Sequence, residues 1–107
     1  LAVKAPKYGN RRTVVDGVAF ASAKEARRYS ELRLLERAGN LSELVLQPRF
    51  PLVVNGEKIC TYVADFSYRP LRSDTLTIED VKGVKTPIYN LKKRLMKAVH
   101  GIEVRET

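Results

Sequence analysis

Apolar and polar positions alternate in some stretches of the 107-residue chain and recur at helical spacing in others. Thr13–Val15 and Val18–Phe20 flank Asp16-Gly17, the pair that favours a tight two-residue hairpin. From Ser22 to about Ala38 the spacing turns helical: at 100° per residue Ala26, Tyr29, Leu32 and Leu35 form one apolar stripe, and Gly39 stands where a helix would end. Residues 43–54 are rich in Val and Leu but carry Pro48 and Pro51, which predicts an irregular or edge strand. Asn55-Gly56 turns the chain into a long strand over residues 58–68. A polar link, residues 69–74, leads to a strand over 75–82. Pro87 suits the first turn of a second helix ending near His100-Gly101, and residues 102–105 form a short last strand. After the opening hairpin the order is α-β-β-β-α-β, an α/β domain with a mixed sheet.

Composition narrows the class. A 12.1 kDa chain with 44% hydrophobic residues closes one core and has no room for a second catalytic domain. Its single cysteine, Cys60, excludes an internal disulfide framework and points to a reducing compartment. No apolar run approaches the ~18 residues of a membrane span and no signal-peptide pattern opens the sequence, so the expected location is cytoplasmic.

Twenty Lys and Arg against 12 Asp and Glu give a formal charge of +8. The excess is localised. Residues 1–12, expected to be a flexible arm, hold Lys4, Lys7, Arg11 and Arg12 and no acid; residues 82–97 hold Lys82, Lys85, Lys92, Lys93, Arg94 and Lys97, again with no acid. Two basic segments on a near-neutral body read as a footprint for phosphates, the alternative being a solvated surface. On the second helix Lys85, Thr86 and Lys93 would face a phosphate backbone while Leu91, Leu95 and Val99 pack inward; Lys93 shares a side with Tyr89. With 7% aromatics and no Trp, backbone contact is favoured over base stacking.

Strand parity locates the candidate chemistry. Asp80 and Lys82 share one face with Leu76 and Ile78, whereas Glu79 and Val81 point to the other. Asp65 lies on a face with Thr61, Val63 and Ser67. If the link between the strands is symmetric about residues 72 and 73, Asp65 falls directly across from Asp80. Two opposed carboxylates repel unless a cation joins them, and Mg²⁺ binds through one or two carboxylates plus phosphate. Lys82 would then stabilise the phosphate or position a water; the alternative is a surface Asp80–Lys82 ion pair. Glu25 lies within the apolar stripe of the first helix, where an acid needs a partner. It also completes Ser22-Ala23-Lys24-Glu25, a capping box in which Glu25 folds back onto the Ser22 amide. Both roles stay open.

With a helix glutamate, then Asp65, then Asp80-Val81-Lys82, the chain resembles the PD-(D/E)XK nuclease superfamily, which includes restriction endonucleases and Holliday junction resolvases. Tyr8-Gly9-Asn10, Asp16-Gly17, Ser22 to Glu25, Gln47-Pro48, Ala64-Asp65-Phe66 and Glu79 to Gly83 further resemble a group of small phage and prophage proteins classed within it as a domain of unknown function. The resemblance implies a restriction-endonuclease-like αβββαβ core and metal ligation (Mg²⁺ or Mn²⁺) by Asp65, Asp80 and the Val81 carbonyl. It implies Glu25 as a direct or water-mediated ligand, Lys82 as the catalytic lysine and Gln47 beside the site. Ala64 departs from it, standing where the motif carries Pro.

Other residues offer no rival chemistry. His100, the lone histidine, sits at a helix C-terminus in an end-capping position. Cys60 falls on the face of Tyr62, Ala64 and Phe66 as a core residue, with no cysteine–histidine metal spacing. Ser22 and Ser67 lack a nearby histidine for a triad. The expectation is a metal-dependent endonuclease acting on DNA, selective for branched or junction structures, in phage recombination or DNA processing. It would work as a homodimer where paired cuts are needed, with no small-molecule cofactor. The alternatives are a non-catalytic DNA-binding module or accessory subunit, and a sequence-specific nuclease of restriction or homing type.

Overall fold

Positive φ at both Asp16 (52°) and Gly17 (75°) closes a two-residue turn between β1 (Thr13–Val15) and β2 (Val18–Phe20), the mirror-image turn that matches strand twist. The computed structural model describes residues 12–107, so the expected arm lies outside the described residues but for the exposed Arg12. Helix α1 (Ala23–Arg37) starts at Ser22, whose Oγ accepts from the Glu25 N–H at 3.1 Å. It buries Glu25, Ala26, Tyr29 and Leu32; Leu35, expected on the same stripe, stays partly exposed in a hollow lined also by Leu32, Leu41 and Tyr68. Helix α2 (Pro87–His100) starts at Thr86 with Pro87 in its first turn, and ends where Gly101 at φ 67° donates its N–H to the Lys97 carbonyl.

The two long strands expected between the helices are each divided in two. Residues 41–54 form β3 (Leu41–Leu46) and β4 (Arg49–Val54), and residues 57–70 form β5 (Glu57–Val63) and β6 (Phe66–Pro70). β3 pairs with β6 and β4 with β5, both antiparallel. They are the two arms of one long hairpin, turned by Asn55 (φ 50°) and Gly56 (φ 80°). The hairpin bends where Gln47 adopts φ 51° and Pro48 offers no N–H. Backbone bonds from Gln47 N–H to Asp65 O (2.9 Å) and from Ala64 N–H to Pro48 O (3.1 Å) hold the bend together.

The central sheet has the order β3-β6-β7-β8, completed by β7 (Thr77–Asp80) and β8 (Arg105–Glu106). β7 runs antiparallel to β6 and parallel to β8, so the sheet is mixed and the α-β-β-β-α-β order holds. The last strand is shorter and later than residues 102–105, because Ile102 and Val104 serve core packing instead. One apolar cluster lies between α1 and the sheet, centred on Leu32, Phe66 and Tyr68. The other joins α2 to the opposite face and to the β4–β5 ribbon, centred on Leu52, Ile78 and Met96.

The bend corrects two face assignments. Tyr62 and Ala64 belong to the α2-side cluster while Phe66 belongs to the α1-side cluster, so the strand does not keep one face through residue 65. Cys60 packs at the margin of the α2-side cluster, half-buried. On α2, Tyr89 and Met96 are the buried anchors; Leu91, expected inside, is 54% exposed. No helix among the described residues is long and apolar enough to cross a membrane.

Candidate active site

The register between β6 and β7 is the one a link symmetric about residues 72 and 73 requires: Phe66 pairs with Glu79, Ser67 with Ile78 and Tyr68 with Thr77. One step further brings Asp65, the last residue of the bend, level with Asp80, the last of β7. Both side chains are buried, at 3% and 1% exposure. Asp65 Oδ2 accepts from the Val81 N–H at 2.8 Å, so Asp65 clasps the chain between Asp80 and Lys82. The Val81 side chain enters the α1-side core, which fixes that backbone further.

Asp80 Oδ2 accepts a hydrogen bond from the Tyr62 hydroxyl and lies 3.4 Å from Lys82 Nζ. Burial first, and the Asp80 charge second, push the Tyr62 phenol well above its ordinary range, so it remains a neutral donor. Lys82 Nζ also sits 4.0 Å from the Tyr89 ring centre, and the Lys82 carbonyl accepts from Lys24 Nζ at 3.0 Å. Tyr62 and Tyr89 thus flank the Asp80–Lys82 pair, their ring centres 6.5 Å apart. Tyr62, Asp80, Lys82 and Tyr89, with Ile88 and Lys92, line a concavity of about 300 Å³ whose other walls come from β5 and the start of α2.

Glu25 is 5% exposed at the start of α1. Ser22 caps the Glu25 N–H, which is half of the expected capping box, and Glu25 Oε2 accepts from the Ala21 N–H at 3.4 Å. The Glu25 side chain also lines a cavity of about 230 Å³ with Gln47, Arg49, Asp65 and the rings of Phe20 and Phe66. The fold therefore gathers the expected residues at one end of the sheet but into two hollows. Glu25, Gln47 and Asp65 share one; Asp80 and Lys82 share the other; the Asp65–Val81 bond joins them.

Among the described residues, no three His, Cys, Asp or Glu side chains form a group able to hold a metal ion by themselves. The donors at hand are the carboxylate oxygens of Asp80, the last residue of β7, and of Asp65, in the bend before β6. They fit Mg²⁺ or Mn²⁺, which bind through one or two carboxylates and complete their shells with water and phosphate.

The expected phosphate-binding lysines are tied to the body. Lys85 and Lys93 reach Glu106 Oε1 at 3.0 and 3.3 Å, and Lys92 Nζ donates to the Thr61 carbonyl at 3.1 Å. A hydrogen bond from the Tyr89 hydroxyl at 2.7 Å, assisted by the two lysines, outweighs partial burial and holds the Glu106 carboxyl down at about 2. His100 does not cap its own helix; Nε2 contacts the Pro51 carbonyl at 2.8 Å and the ring packs near Phe50. Lys4, Lys7 and Arg11 lie outside the described residues.

Sequence reasoning missed Tyr62, Tyr89 and Arg49. Parity set Tyr62 on the face opposite Asp65, and only the bend swings its hydroxyl to Asp80. Arg49 follows the Gln47-Pro48 break, which is the one local sign that its neighbourhood is unusual.

No curated protein and no solved structure matches the chain. Residues 5–107 match the family described as a protein of unknown function, DUF1064, and the chain belongs to that family.

Proposed function

We propose that this protein is a metal-dependent endonuclease of the PD-(D/E)XK type, hydrolysing phosphodiester bonds in branched or junction DNA. The observation that carries the reading is the pair of buried carboxylates, Asp80 at the end of β7 and Asp65 in the bend level with it, joined through the Asp65–Val81 bond, with Lys82 beside Asp80. A fold gains nothing from two neighbouring buried acids on binding grounds alone, and acids at a polyanion's site oppose its approach.

Asp65, Asp80 and the Val81 carbonyl would hold Mg²⁺ or Mn²⁺, with Glu25 reaching the site directly or through water. The ion supplies Lewis-acid polarisation of the phosphate and a lowered pKa for bound water. Tyr62 holds the Asp80 carboxylate in one orientation by donating to Oδ2. Lys82, steadied between Asp80 and the Tyr89 ring, places a positive charge where negative charge develops on the phosphate. The basic arm and residues 85–93 supply backbone attraction, which makes binding strongly salt-dependent. A second copy of the chain supplies the second active site when both strands are cut, and the expected setting is the cytoplasm of a bacterial or phage-infected cell.

The test is nicking of supercoiled, linear and four-way-junction DNA with Mg²⁺, comparing wild type with Asp80→Ala and Lys82→Ala. Metal-stimulated cutting that both substitutions abolish supports the site. Equal activity in all three proteins removes it, and DNA binding without cutting by wild type leaves a non-catalytic binding module.

A further inference from the structure

The start of α2 and the loop before it expose aliphatic side chains in the most basic part of the chain. Val84 is 54%, Ile88 67% and Leu91 54% exposed, within a segment that holds six Lys and Arg and no acid. Ile88 and Leu91 share one side of α2 at a spacing of three, and Lys92 stands one turn beyond Ile88. Ile88 and Lys92 line the same concavity as Asp80 and Lys82, so the exposed aliphatic segment borders the candidate active site through Ile88.

Scattered exposed aliphatics are ordinary; three exposed within one short stretch of so basic a segment, one of them lining a charged hollow, form a surface that needs an occupant. Phosphate oxygens offer apolar side chains no gain. A second copy of the chain fits poorly, because a two-fold contact here sets each lysine cluster against its twin. Glu106, the acid that faces this region from β8, already takes both Lys85 and Lys93, one negative charge against two positive. What fits is a polyanion that also presents apolar faces. Intact duplex hides its base faces in the stack, whereas a branch point or unpaired stretch exposes them.

We propose that Val84, Ile88 and Leu91 form a contact surface for unstacked bases, and that this aliphatic edge gives the protein its preference for branched over linear DNA. The inference rests on the DNA-directed reading of the neighbouring site, but needs no cutting to be tested. Binding of fluorescent four-way-junction and linear duplex DNA, measured by anisotropy in metal-free buffer, compares wild type with Ile88→Ser/Leu91→Ser. Both side chains are exposed, so the variant keeps its fold; should it lose its circular-dichroism spectrum, Leu91→Ser alone carries the comparison.

Junction affinity is expected to fall about tenfold while duplex affinity stays within about twofold, the scale of one lost base contact. Lys93→Ala, the control, weakens both DNAs alike and lowers the salt dependence. A parallel fall for both DNAs, no change for either, or wild type that binds both equally overturns the proposal. So does conversion of a wild-type dimer to a monomer in sedimentation, which would assign the face to a second copy. Junction preference that vanishes in the variant of a protein unable to cut DNA would sustain this inference and defeat the nuclease.

Discussion

Glu79 and Asp80 are consecutive on β7, both fully buried, and they point to opposite faces of the sheet. On the α1 face, Glu79 accepts from Arg28 Nε (2.6 Å) and Nη2 (2.9 Å), the Tyr68 hydroxyl (2.6 Å) and Thr107 Oγ1 (3.1 Å). Burial pushes its carboxyl up, but the Arg28 and Tyr68 hydrogen bonds outweigh that and hold it below the usual range. On the α2 face, Asp80 is bonded to Tyr62 and lies beside Lys82, and all three line a concavity. Both carboxylates are charged groups in a core. One is closed off by a bidentate arginine and two hydroxyls; the other is held by Tyr62 and Lys82 in the wall of a hollow. Burial alone therefore does not mark a catalytic acid: what surrounds it does.

The comparison breaks first at Glu79. Replacing it by Ala leaves Arg28 facing an apolar core without its carboxylate and should cost roughly 3–5 kcal/mol of stability, read from urea unfolding. Asp80→Asn keeps the side-chain shape and should leave the thermal transition near wild type while Mg²⁺-dependent nicking drops by about 10²–10³-fold. If instead Asp80→Asn unfolds the protein and Glu79→Ala spares it, the two acids have exchanged roles.

Smaller effects sharpen the contrast. Tyr62→Phe removes the donor to Asp80 and should cost about 1.5–3 kcal/mol in stability, with a smaller loss of nicking than Asp80→Asn. Glu106→Gln should lower stability at neutral pH and converge on wild type as the solution is acidified. Its folded pKa of about 2 lies below the ordinary 4.5, so its stabilisation is complete above about pH 4.5 and is lost as pH falls towards 2. The variant should show a flatter acid limb in that window, measured by unfolding at a series of pH values. Glu79, also held low, keeps part of the limb in place.

Much of the fold was legible because its signals are local. Asp16-Gly17 and Asn55-Gly56 announce their turns by tolerating positive φ, Ser22 and Thr86-Pro87 start helices, and Gly101 ends one. Alternation along 75–82 separates Glu79 from Asp80, and the short polar link sets the register that levels Asp65 with Asp80. The bend was not legible. Pro48 hinted at irregularity on its own strand, but nothing in 58–68 reveals that the partner strand must turn with it at Ala64-Asp65.

What the sequence determined by itself is therefore the order of elements, their turns and caps, and which face each β7 acid takes, since φ preferences and side-chain parity act over a few residues. The tertiary structure decided the rest. Tyr62 meets Asp80 across 18 residues, Arg28 meets Glu79 across 51, and Glu106 draws in Lys85 and Lys93 from α2 and the loop before it. Those contacts depend on where a bent hairpin and a two-residue last strand land, and that is settled by packing two cores against one sheet at once.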